Sequence, residues 1–190
     1  GTNDVIANTI SGYDENEYFV TDGTGYLQRN VGASSTVDFP VGISTTSLTN
    51  LVQLTPGDLS TFQVRVSNTF SNAPNDANQV VDAEWNIDRT AGSAATTVRL
   101  TWRDDGSMTF GSSFSASDTH TEIGRWNGSA WVETSTTAKD ATGPEYYFEA
   151  TGFSSFSPFA AGSGGMSLPV ELVYFDAIYD EDAVVVSWET

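Results

Sequence analysis

The run Phe62-Gln63-Val64-Arg65-Val66-Ser67 alternates apolar and polar side chains at every step. A period of two belongs to an extended strand with one buried and one wet face, because successive Cβ atoms point to opposite sides of the backbone. The pattern recurs twice downstream. Val81, Ala83, Trp85 and Ile87 alternate with Asp82, Glu84, Asn86 and Asp88, and Val98, Leu100 and Trp102 alternate with Arg99 and Thr101. Strands that are wet on one face belong to antiparallel sheets rather than to a doubly wound parallel one. No long window carries a capped helical stripe, so helix content is expected to be very low.

Turn chemistry sets the spacing between these strands. Asp22-Gly23-Thr24-Gly25 separates residues 17–20 from 26–31 and predicts a hairpin. Asn127-Gly128-Ser129 predicts a second one, between Arg125-Trp126 and Ala130-Trp131-Val132, and Asp105-Gly106 a third. Residues 71–78, with Pro74, read as a longer polar loop. About ten short strands at this spacing make an all-β, antiparallel sandwich of immunoglobulin or jelly-roll type over residues 1–163.

Residues 164–190 differ in character. Gly162-Ser163-Gly164-Gly165 reads as a flexible joint, followed by two strands, 170–179 and 183–189, around Asp180-Glu181-Asp182. Two strands do not make a stable domain alone. The hairpin therefore packs on the body, belongs to a truncated domain, or completes the sheet of another molecule.

Composition agrees with the pattern and excludes several functions. The chain has 190 residues, enough for one domain or one with a partial second. With 22 Ser, 24 Thr, 12% aromatic residues and a single Lys, it has a β-rich palette. Asp and Glu number 25 against 7 Lys and Arg, for a net charge of −18. Such a surface cannot present a positive stripe to phosphates, which argues against nucleic acid and membrane partners. The absence of Cys removes thiol nucleophiles, thiolate zinc sites and disulfide staples, leaving core area, bound ions or association to supply stability. The chain starts at Gly1 without an apolar leader, and a mature or excised fragment is expected.

Candidates for chemistry are few. His120 is the single histidine, so a Ser-His-Asp triad would need it, with Asp118 or Glu122 beside it, and no nucleophile elbow accompanies it. The expectation is a surface histidine at a strand end and a protein that is not an enzyme. A carboxylate pair such as Asp105 and Glu122 is the minimal glycosidase apparatus, but needs a cleft. Carboxylates and carbonyls are hard ligands suited to Ca2+, and the candidates are Asp14 and Glu15, Asn75 and Asp76, and Asp180 and Asp182. The competing reading is that Asp and Asn occupy turns because they bond their own backbone. Trp126, Trp131 and Tyr147 are candidates for stacking glycan rings, whereas Trp85 and Trp102 lie in apolar registers and are assigned to the core.

Several phrases occur in an informative order: Tyr18-Phe19-Val20-Thr21-Asp22-Gly23-Thr24-Gly25-Tyr26-Leu27 with Arg29-Asn30-Val31, then Phe39-Pro40-Val41-Gly42, then Arg125-Trp126-Asn127-Gly128 with Trp131-Val132. Phe153-Ser154-Ser155-Phe156-Ser157-Pro158-Phe159 follows, and then Leu168-Pro169-Val170-Glu171-Leu172 with Phe175 and Ala177. Nearly the whole chain thus resembles the C-terminal β-sandwich region of large secreted surface proteins of Bacteroidota, exported by the type IX secretion system. The resemblance implies an extracellular, cell-surface location; the region it points to occurs beside adhesins, repeat stalks and enzymes alike, and it carries over no catalytic residues. It also implies that the Leu168 segment opens a fibronectin-like domain, of which the chain holds only a part.

The expected function is a non-enzymatic structural or adhesion module whose partners are copies of itself or other domains of the same surface protein. Val184, Val185, Val186 and Trp188 are the candidate subunit contacts, since an unpaired edge strand invites a neighbouring sheet. The alternative is a carbohydrate-binding accessory module of a secreted polysaccharide-degrading enzyme, with glycans as partners.

Overall fold

In a computed structural model of the chain, the described residues are 3–21, 23–43, 50–74, 76–103, 110–164, 174–180 and 183–189, the last two segments by their backbone. The described strands, in chain order, begin with β1 (Val5–Ile6), β2 (Phe19–Val20), β3 (Leu27–Val31), β4 (Val37–Phe39), β5 (Val41–Gly42), β6 (Val52–Pro56) and β7 (Ser60–Ser67). Next come β8 (Glu84–Ala91), β9 (Thr96–Arg103), β10 (Glu122–Trp126), β11 (Trp131–Ser135) and β12 (Ala138–Asp140). Last are β13 (Glu145–Phe153), β14 (Pro158–Gly162), β15 (Tyr174–Asp180) and β16 (Ala183–Glu189). A single turn of 3₁₀-helix, Ala77–Gln79, is the one helical element described.

Two large sheets carry the architecture. The first has the order β1-β3-β7-β8-β14-β10-β11, and the second β12-β13-β9-β6-β4. Their pairings are antiparallel except that of β1 with β3. The fold is an all-β sandwich, as the alternating runs predict, and not a closed barrel. In β7 every second residue is buried, and in β9 Val98, Leu100 and Trp102 point inward. One continuous core joins Phe62, Trp85 and Phe159 of the first sheet to Leu54, Leu100 and Phe148 of the second. Each such side chain contributes roughly 1.5–3 kcal/mol on leaving water. That core supplies stability without any disulfide.

Two expectations are corrected. Glu84 and Asn86, on the polar register of β8, are buried, because residues 68–74 fold across the outer face of the seven-stranded sheet. Residues 17–20 and 26–31 do not form a hairpin with each other. β2 instead pairs in parallel with β5, and β3 lies between β1 and β7. Gly25 serves close approach: a Cβ there would stand 2.4 Å from the Asn3 carbonyl oxygen.

The Asn127 hairpin forms as expected. β10 and β11 pair with Trp126 opposite Trp131, and Asn127 Oδ1 accepts from the backbone N–H groups of Ser129 and Ala130 at 2.9 Å each. The Asp105-Gly106 turn lies outside the described residues. At the sandwich end, β14 finishes at Gly162, the Ser163 N–H donates to the Gln79 carbonyl at 2.9 Å, and the Gly164 N–H donates to Glu122 Oε1 at 2.7 Å. β15 and β16 form an antiparallel two-stranded sheet, with Asp180 opposite Ala183.

Candidate functional site

Alternation along β13 sends Tyr146 and Phe148 to the core side and Tyr147 and Glu149 outward. The outward face of the five-stranded sheet carries a polar row in register across four strands: Asp38, Gln53, Arg99 and Glu149. Gln53 Nε2 donates to Asp38 Oδ1 at 2.8 Å, and Arg99 donates to Glu149 Oε2 through Nε at 2.9 Å. The Arg99 guanidinium also stands 4.1 Å from the centre of the Tyr147 ring, a cation–π geometry. At the row's end the Tyr13 hydroxyl donates to Asp38, and this bond to a carboxylate pushes the Tyr13 pKa up to about 12. Tyr147 thus sits half-buried on a polar, hydrogen-bonded surface.

The tryptophan pair is arranged differently. Trp126 and Trp131 meet edge to face at 5.9 Å, and Trp131 is only 4% exposed beneath Phe70, whose ring lies 6.1 Å away. Its indole Nε1 donates to the Asn72 and Ala73 carbonyls at 3.2 and 3.3 Å. The expectation of Trp131 as a stacking surface is therefore corrected. Its ring is buried in a small second core with Val80 and Ala160, and only the half-buried Trp126 keeps an open edge. The signal in the sequence was Phe70 beside a loop long enough to fold back.

The expected calcium ligands are placed in turns. Asp14 Oδ1 accepts from the N–H groups of Asn16 and Glu17 at 2.7 and 2.9 Å, while Glu15 is exposed. Asp76 Oδ1 accepts from the Asn78 N–H at 2.8 Å and caps the 3₁₀ turn. Asp180 ends β15, and Asn75 and Asp182 lie outside the described residues. Among the described residues no three His, Cys, Asp or Glu side chains are grouped to hold an ion. Val184, Val185, Val186 and Trp188 all fall in β16, opposite Tyr179, Ile178, Ala177 and Phe175.

His120 is exposed just before β10. Its N–H donates to Asp118 Oδ1 at 3.0 Å, a bond that holds the Asp118 carboxyl below its ordinary pKa. It borders a concavity of about 490 Å³ that also touches Glu122 and Glu133. Asp105, the proposed partner of Glu122, lies outside the described residues.

One feature was missed in the sequence. A pocket of about 250 Å³ opens where Phe110, Phe114 and Tyr146 meet over Trp102. These aromatics are far apart in the chain, so no local pattern could have joined them. Comparison with known proteins finds no matching family model, no matching curated protein and no matching solved structure.

Proposed function

We propose that this chain is a non-enzymatic structural or adhesion module of a bacterial cell-surface protein, joined to copies of itself or to neighbouring domains through its C-terminal hairpin. The observation that carries the reading is the pairing of β15 and β16. They form a sheet of two strands only, and among the described residues neither strand pairs with the sandwich. A lone hairpin is marginally stable in water, and its edges offer unpaired N–H and C=O groups to another strand. The continuous core of the body supports the role of a rigid unit. The resemblance of the ordered phrases to type IX secretion substrates supports the surface location.

Electron microscopy with light scattering on the full chain and on a version ending at Gly164, with and without calcium, tests the proposal. The cut falls after Gly164 because Ser163 and Gly164 are bonded into the body. Assemblies that vanish on truncation support linkage between copies, and monomers in every condition overturn it and leave neighbouring domains of the same protein as the hairpin's partner.

A second reading, a carbohydrate-binding accessory module, is favoured by Tyr147 standing outward beside Arg99 and Glu149. Retardation in polysaccharide gels that is lost in Tyr147→Ala supports it, and unaltered migration in every polysaccharide counts against it.

A further inference from the structure

The segment from Phe110 to Ser117 bridges the two sheets. On one side Phe110 pairs with Val81, and the Gly111 and Ser113 N–H groups donate to the Val80 and Asn78 carbonyls at 2.9 and 2.8 Å. On the other, Phe114 meets Trp102 edge to face at 5.9 Å. The pocket of about 250 Å³ lies between them. Its walls are two parallel ring pairs: Tyr146 on Trp102, at 6.1 Å and 12°, and Phe110 on Phe114, at 5.7 Å and 11°. Trp102 is 1% exposed, so the ring surface open to a ligand belongs to the part-buried Tyr146, Phe110 and Phe114.

Two serines complete the lining. The Ser115 and Ser117 hydroxyls lie 3.0 Å apart, and each has one donor and two acceptor positions, so the pair keeps capacity for a further partner. In a chain of net charge −18, no charged side chain among the described residues lines this pocket. A charged ligand would lose its hydration and find no counter-charge among these described lining residues. A purely aliphatic one would bury the hydroxyls without partners. A ligand that suits both halves has a flat C–H face for the rings and hydroxyls on its edge. The volume is below the roughly 300–1,000 Å³ typical of drug-sized ligands, which leaves room for one ring.

We propose that this pocket binds a single neutral pyranose residue, its C–H face against Tyr146 and Phe114 and its hydroxyls on Ser115 and Ser117. The site is separate from the outward face of Tyr147 and from the hairpin, and gives a surface module a means of holding one sugar unit of a glycan.

Saturation-transfer NMR on the full chain tests this, with the methyl glycosides of glucose, galactose and mannose as probes and p-cresol as the aromatic control. Saturation of the ring C–H protons of at least one methyl glycoside is expected. Phe114→Leu keeps apolar bulk but removes the ring face, and is expected to weaken that binding about 2- to 10-fold. Ser117→Ala is an exposed change that leaves the fold intact, and is expected to weaken it about 3- to 10-fold through one lost hydrogen bond. Leu59→Ala, an exposed change in the turn between β6 and β7, is expected to leave it unaltered. Absence of transfer to every glycoside, binding confined to p-cresol, or full binding by both Phe114→Leu and Ser117→Ala overturns the proposal. A chain that assembles through its hairpin yet binds no glycoside fails here alone.

Discussion

The backbone N–H and the hydroxyl of Ser71 both donate to the buried carboxylate of Glu84, at 2.8 to 2.9 Å. Asn86 Nδ2 adds a third donor at 3.0 Å. A carboxylate with only 1% exposure is tolerable because these donors replace its water. The contact also ties the loop of residues 68–74 to the outer face of the seven-stranded sheet, where Trp131 Nε1 holds the same loop through Asn72 and Ala73.

Glu84→Ala leaves the Ser71 and Asn86 donors without their acceptor and releases one end of that loop. The expected loss is about 1.5–3 kcal/mol, the range for hydrogen bonds to a charged group. Urea unfolding of the two proteins measures it, and a loss below about 0.5 kcal/mol would show that the loop is held without the carboxylate.

Trp131→Ala empties the small core that Phe70, Val80 and Ala160 share, and is expected to cost about 3–5 kcal/mol. Trp126→Ala, at the half-buried partner, is expected to cost less. Thermal unfolding followed by near-ultraviolet circular dichroism separates them, and a Trp131→Ala cost no larger than that of Trp126→Ala would contradict the deeper burial of Trp131.

Asp58 joins two turns at one end of the sandwich. It accepts from the Ser60 hydroxyl at 2.7 Å and from the Ser93 and Ala94 N–H groups at 2.7 and 3.0 Å, and these bonds, Ser60's foremost, lower its pKa to about 2. A carboxyl depressed on folding stabilises the fold above its unfolded pKa, near 3.9, and loses that contribution as pH falls towards the folded value. Acid unfolding should therefore show a stability difference between wild type and Asp58→Asn that is full at pH 5 and shrinks between about pH 4 and 2. A difference constant across that window contradicts the assignment.

Gly92 faces the same staple at φ +96°, where a Cβ would stand 2.0 Å from Ser60 Oγ. Gly92→Ala is expected to destabilise by about 1–3 kcal/mol, from the left-handed backbone and from displacement of the serine. Denaturant midpoints measure the change, and a neutral result would mean that Ser60 and Asp58 reposition freely.

Local signals were read well where one residue's own neighbours satisfy it. Asn127 folds its side chain onto Ser129 and Ala130, so its hairpin was visible in three letters. Phe62, Val64 and Val66 show their burial by period alone. The Asp22-Gly23 stretch misled because turn chemistry says that a chain bends and not which strand it then meets. β2 finds β5, about twenty residues away, and β3 finds β7. Glu84 and Trp131 misled for a related reason, since a covering loop turns an outward position into a buried one.

The sequence by itself determined the all-β class, the inward registers of β7 and β9, the Asn127 hairpin and the strand pair at the C-terminal end. These follow from alternation and turn preference, which act over a few residues. Tertiary structure alone decided the parallel pairs, the loop that buries Glu84 and Trp131, and the meeting of Phe110, Phe114 and Tyr146 over Trp102. Those depend on which surfaces must leave water together, and that is settled only when both sheets have closed on one core.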